Sequence, residues 1–183
     1  MRSGSVADTR TALIDAFAEA LAKSGYPGVS MNEVAANAGI KKPSLYHHFP
    51  GGKEAVYVAV AERFAADSAE RITAALASTN DFPDQLTALA QVSNSTTAAA
   101  VSFEQRIYDA LDHVSETSGA KVRDSYVNAV LAPVSRLFEA ATARREIDGD
   151  PGFLSMTFLE LVRDTTDINA AVNLFLDGAR PRT

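Results

Sequence analysis

The chain has 183 residues, 46 % of them hydrophobic, with 17 Lys/Arg against 23 Asp/Glu, three His and no Cys. That length and apolar share give one or two domains with a real core and exclude a disordered chain. The missing cysteine removes disulfides, thiol catalysis and thiolate metal sites together, and suits a cytoplasmic protein.

The opening residues MRSGSVADTR lack an apolar h-region, so no secretory signal is expected. No apolar run approaches the ~18–20 residues of a membrane span. Charge is unevenly spread: residues 1–53 hold six Lys/Arg (Arg2, Arg10, Lys23, Lys41, Lys42, Lys53) and four acids (Asp8, Asp15, Glu19, Glu33), and the remainder holds eleven basic and nineteen acidic residues. A basic head on an acidic body suits local contact with phosphates.

Alanine is abundant and apolar residues recur at steps of three and four, which predicts helix almost throughout. Residues 8–23 place Leu13, Ile14, Phe17 and Leu21 on one stripe that Ser24-Gly25 ends. Ser30 opens a second helix, and with Glu33 it reads as an S-x-x-E capping box. Val34, Ala35 and Ala38 give that helix a small-residue inner face, and Gly39 permits a sharp turn. Pro43 fits the first turn of a third helix, whose Leu45 and Phe49 point inward. Pro50-Gly51-Gly52 breaks the chain, and Lys53 begins a long helix to about residue 77. Further helices are expected over 82–92, 98–114, 120–145, 151–163 and 167–177, with a kink at Pro133. The first seven residues and 180–183 are expected to fray.

Two short helices joined by a tight turn, the second carrying Lys, Ser, Tyr and His away from its apolar side, form the pattern of a helix-turn-helix reader of DNA. In detail the N-terminal segment resembles the TetR family of transcription regulators. The carrying residues are Gly25-Tyr26, Ser30, Val34-Ala35, Ala38-Gly39-Ile40, Leu45-Tyr46-His47-His48-Phe49 and Lys53-Glu54. The specific motif covers roughly residues 8–60; beyond it the likeness is one of length and helical character. Two positions depart from the family pattern. Lys41 stands where a serine commonly caps the recognition helix, and Gly52 stands where a serine commonly precedes the Lys-Glu pair.

The resemblance implies an all-α fold: a three-helix helix-turn-helix DNA-binding domain, residues 1–52, then a larger helical effector-binding and dimerisation domain, residues 53–183. Ser30, at a helix N-terminus where free N–H groups favour an anion, is expected to touch phosphate. So are Lys41, Lys42 and Lys53, and Tyr46 and His47 resemble the family's phosphate-contacting pair. Pro43 and Ser44 lie early on the recognition helix, where side chains meet base edges. His48 reads as structural. His47 and His48 diverge by ~100° and cannot chelate one ion. No metal site, cofactor or catalytic group is expected.

In the acidic body, residues 151–163 and 167–177 are apolar around much of their girth, which calls for a partner subunit. Leu154, Phe158, Leu161, Val172 and Phe175 are the expected dimer residues. Phe103, Arg106, Ile107, Tyr126 and Val130 are the expected effector contacts, with a small-residue run over 94–102 nearby. The expected partners are a palindromic double-stranded operator, a second copy of the chain and a small-molecule effector, with no membrane. The function implied is a ligand-responsive regulator, a repressor, in the cytoplasm. Two other readings stand beside it: a helical interaction module whose head no longer binds DNA, kept open by Lys41 and Gly52, and an all-helical enzyme. The sequence holds no Gly-Lys-Ser/Thr phosphate cradle, G-x-S-x-G or H-E-x-x-H to support the latter.

Overall fold

The three-and-four spacing of apolar residues in an alanine-rich chain leads to helices packed on helices. The computed structural model describes residues 6–94, 98–163 and 165–181, with backbone alone at 6, 98, 99, 101 and 102. Its helices are α1 (Val6–Gly28), α2 (Met31–Asn37), α3 (Lys42–His48), α4 (Gly52–Ala77), α5 (Phe82–Asn94), α6 (Ala98–Asp109), α7 (Glu116–Tyr126), α8 (Ala132–Ala143), α9 (Pro151–Val162) and α10 (Ile168–Gly178). Among the described residues there is no strand, as the all-α expectation requires, and no helix long and apolar enough to cross a membrane. The small-residue run over 94–102 and the expected frayed ends lie partly outside the described residues.

The helices gather into two compact units, residues 1–64 with 98–125, and residues 65–97 with 126–183. The expected functional division after residue 52 falls inside the first of these. The core of that unit joins Leu13, Phe17 and Leu21 of α1 to Val34, Leu45, Val56, Tyr57 and Val60, and it also takes in Ile107 and Val122 from α6 and α7.

The α1 stripe is buried as the spacing predicts, and the helix breaks at Gly25, whose φ of 66° and ψ of 168° lie outside helical space. A side chain is strained there. The turn after α2 closes as a Schellman motif: the Gly39 N–H donates to Ala36 O and the Ile40 N–H to Ala35 O, both at 3.0 Å, with Gly39 at φ +71°. The expected capping box is a correction. Ser30 takes the extended N-cap backbone but makes no side-chain bond to the helix.

Two later elements also differ from expectation. The helix expected over 98–114 is α6 followed by a 3₁₀ turn, Ala110–His113. The helix expected over 120–145 begins earlier, at Glu116, and divides at a π segment, Val127–Leu131, before α8. Pro133 has no N–H to give, and the ladder widens to i→i−5 just ahead of it, with the Ala132 N–H reaching Val127 O. The proline's disturbance is thus absorbed as a bulge.

In the second unit Asp150 caps α9 and Asp167 caps α10, accepting from the Phe153 and Ala170 N–H groups at 2.7 and 2.9 Å. The core is built on rings. Phe138 is fully buried, its centroid 5.8 Å from Phe82, 5.9 Å from Phe158 and 5.8 Å from Phe175. Phe158 and Phe175 lie 5.1 Å apart, edge to face.

Phe138→Ala is expected to cost about 3–5 kcal/mol in urea denaturation, since the hole it leaves faces three rigid rings; a destabilisation under about 1 kcal/mol would contradict this packing. Gly25→Ala is expected to cost about 1–3 kcal/mol through backbone strain alone, read as a lower melting temperature.

Candidate nucleic-acid interface

Residues 42–48 make only two turns of helix, so packing must fix where that helix points. Leu45 and Phe49 do this, at 0 % and 3 % exposure. The Arg10 guanidinium of α1 lies 4.8 Å above the Phe49 ring centre, a cation–π contact on the far side of the same anchor. With Leu45 turned inward, Lys41, Lys42, Pro43, Tyr46 and His47 are exposed and Ser44 and His48 half-buried. Pro43, Tyr46 and His47 share one side of α3 by their three- and four-residue spacing, and Lys42 stands a turn before Tyr46. The His47 and His48 rings diverge, their planes at 76°.

The two departures from the family pattern have structural consequences. Lys41 is the N-cap of α3 and makes no side-chain cap bond. Its carbonyl alone organises the start, accepting from the Ser44 N–H at 2.9 Å and the Leu45 N–H at 3.3 Å. Gly52 is buried and has φ +62°, and a Cβ there would meet Tyr46 Cε1 at 3.3 Å. Glycine therefore allows both the turn into α4 and the close seating of the Tyr46 ring. Tyr46 remains 42 % exposed.

Lys53 is not a free surface lysine. Its ammonium lies 4.6 Å from the Tyr26 ring centre and 3.5 Å from the Pro27 carbonyl, and burial lowers its pKa from the ordinary lysine value. Tyr26 packs edge-on against Tyr57, 5.3 Å away. Its own pKa is pushed up to about 12 by burial and then by the Glu54 charge. The buried Tyr57 hydroxyl donates to Ile107 O at 2.7 Å.

One turn before Tyr57 on α4, the Glu54 carboxylate collects three donors from the start of α7. These are the Ser115 hydroxyl at 2.6 Å, the Ser118 hydroxyl at 2.7 Å and the Ser115 N–H at 3.2 Å. The serine bonds hold its pKa below the usual carboxylate value.

Of the residues expected to touch DNA, Lys41, Lys42, Pro43, Ser44, Tyr46 and His47 are thus brought together on or beside α3, and Ser30 and Lys53 begin the neighbouring helices α2 and α4. Sequence reasoning missed Arg10 and Glu54, because neither role shows in local spacing. The expected effector residues fall in both units. Phe103 stacks edge-on against Phe64 at 5.6 Å, Ile107 is buried beside it in the first core, and Arg106 is exposed. Tyr126 and Val130 belong to the second core. An open groove of about 500 Å³ in the second unit is lined by Arg71, Ala74, Ala75, Ser78, Ala88, Gln91 and Val92, none of them among the expected effector residues.

The expected dimer residues all lie in the second unit. Leu154, Phe158, Val172 and Phe175 are buried in the second unit's own core and Leu161 is packed against it. The large apolar side chains of α9 and α10 left to solvent are Phe153 at 68 %, Met156 at 50 % and Leu174 at 65 % exposure. A helix apolar on several sides does not announce which side its own chain will cover.

Residues 13–60 match the family described as bacterial regulatory proteins, tetR family. Among curated relatives the chain is 40 % identical over 50 residues to the HTH-type transcriptional regulator LmrA of Bacillus subtilis, covering 27 % of each chain. It is 35 % identical over 81 residues to the HTH-type transcriptional activator FasR of Mycolicibacterium smegmatis, covering 44 % of this chain and 36 % of that protein. The matched region thus spans about a quarter to a third of these relatives. Solved structures share the fold over nearly the whole length. A tetR-family regulator from Mesorhizobium loti superposes with a TM-score of 0.73 at 21 % identity, covering 98 % of this chain and 100 % of its own. AibR, solved with isovaleryl coenzyme A and operator DNA, gives 0.67 at 19 % identity, covering 96 % and 100 %. A protein named superantigen PfiT gives 0.74 at 18 % identity, covering 93 % and 95 %, so the overall fold does not by itself assign an activity. Residues 13–60 thus carry the head motif of the TetR family, and the all-helical architecture around it is one shared with solved tetR-family structures.

Proposed function

We propose that the chain is a transcription regulator, a repressor, that binds a palindromic operator as a homodimer and is released by a small-molecule effector. The observation that carries the reading is the face of α3: two cations, Tyr46 and His47 displayed outward from a helix fixed by Leu45 and Phe49. Phosphate contacts by Ser30, Lys41, Lys42, Tyr46, His47 and Lys53 supply affinity and register. Pro43 and Ser44, nearest the start of the recognition helix, supply base choice. The unbonded Ser30 hydroxyl supports its assignment, since a side chain committed to capping has less to offer a phosphate. In this reading residues 1–52 are the DNA-binding head and 53–183 the regulatory part, and the protein works in the cytoplasm.

Dimerisation is supported by the exposed Phe153, Met156 and Leu174 on α9 and α10, a set that a second copy would cover by two-fold symmetry. Effector release is supported by the shared fold of AibR, whose structure holds both an acyl coenzyme A and operator DNA. Phe103, Arg106, Ile107, Tyr126 and Val130 remain the proposed effector residues. A ligand frees the operator only through its difference in affinity between the two states. The rival of a non-binding interaction module loses ground, because the backbone carbonyl of Lys41 and the left-handed Gly52 keep α3 in place despite both departures.

With ~8 phosphate contacts per dimer, operator affinity is expected to fall by about 10³–10⁵ between roughly 50 and 200 mM salt. Lys42→Ala and His47→Ala should each weaken binding across all sequences without altering the melting temperature, whereas Ser44→Ala should relax base preference. A flat salt response in a gel-shift titration contradicts the reading. Phe153→Asp with Leu174→Asp is expected to give a monomer by sedimentation and to lose operator binding; a dimer that persists places the interface elsewhere.

A further inference from the structure

Glu54 begins the long helix α4 beside Lys53 and is half-exposed. An acid next to a DNA-facing lysine opposes phosphate binding on charge alone. The structure gives it another use. Its carboxylate is the joint acceptor for the Ser115 hydroxyl, the Ser118 hydroxyl and the Ser115 N–H, at 2.6, 2.7 and 3.2 Å. Ser115 is the residue just before α7, and its carbonyl takes the Gly119 N–H at 2.9 Å. Glu54 therefore acts as an external cap on α7, supplied from a helix 61 residues away in sequence. The same carboxylate lies in the first turn of α4 itself. One negative charge thus answers the positive ends of two helices.

The clamp bears on Lys53 through geometry. The next turn of α4 carries Tyr57, whose hydroxyl ties that helix to Ile107 O at the end of α6. Glu54 and Tyr57, three apart and on one side of α4, pin its first two turns to the end of α6 and the start of α7. Lys53 projects from that pinned turn to lie over Tyr26. Resting on the DNA-binding reading above, we infer that Glu54, with Ser115 and Ser118, is the positioning group that sets Lys53 and the start of α4 for the phosphate backbone. Its cost in charge is outweighed by the fixed geometry it gives the lysine.

The sign of the effect separates this from a plain surface acid. The test uses the full chain and two duplexes of equal length, one spanning DNA upstream of its own gene and one of unrelated sequence, with binding followed by fluorescence anisotropy at several salt concentrations. Glu54→Ala is expected to weaken binding to both duplexes about tenfold and to flatten the slope of log K against log salt by about one for each phosphate the protein no longer reaches. The pair Ser115→Ala with Ser118→Ala, which changes no charge, should reproduce the weakening, and Glu54→Gln should fall between. Lys53→Ala combined with Glu54→Ala should bind no more weakly than Lys53→Ala alone, since the one acts through the other. Binding by Glu54→Ala equal to or tighter than wild type, no effect of the serine pair, or effects that add in full would each overturn the inference. Should Glu54→Ala fail to fold, the serine pair decides. A wild-type chain that binds neither duplex removes the DNA reading and the clamp with it, an outcome seen before any variant is made.

Discussion

A helix of seven residues has no standing in water, and the recognition helix is that short. Everything proposed for this chain depends on what holds it. Leu45 and Phe49 enter a core shared with α1, α2 and the start of α4, and Arg10 closes over Phe49 from α1. Burial of two large side chains, worth a few kcal/mol together, far exceeds what the missing side-chain cap at Lys41 takes away, about 1 kcal/mol. That inequality explains how the departure at position 41 is tolerated. The outward residues are displayed because the inward ones are committed.

The first turns of α4 are held by ring packing, a buried tyrosine hydroxyl and a carboxylate that serves two helix ends. Lys53 is thereby a placed charge and not a roaming one, lying over the Tyr26 ring and near the Pro27 carbonyl. Glycine at 52 completes the arrangement, letting the Tyr46 ring seat against the turn that launches α4.

Much of the head was legible in the sequence because its determinants are local. The α1 stripe, the stop at Gly25, the turn at Gly39 and the inward pair Leu45 and Phe49 all follow from spacing and backbone preference. What the sequence concealed is long-range or one-sided. The Ser30–Glu33 pattern predicts a reciprocal cap, yet the Ser30 side chain makes no bond to α2; pattern gives opportunity, not occupancy. The start of α7 at Glu116 escaped notice because Gly119 disfavours helix locally, and its support comes from Glu54, far away in sequence. For α9 and α10, apolar residues on several sides left open which would face the chain's own core. The ring cluster around Phe138 claims Phe158 and Phe175 and leaves Phe153, Met156 and Leu174 outside.

The central claim is that the face of α3, together with the starts of α2 and α4, meets DNA. Amide chemical shifts followed by NMR as duplex DNA is added test it residue by residue. The largest changes are expected at Ser30, Lys41, Lys42, Ser44, Tyr46, His47 and Lys53, with the second unit's ring core around Phe138 little moved. Shifts confined to the second unit, or no shifts at low salt, would contradict it.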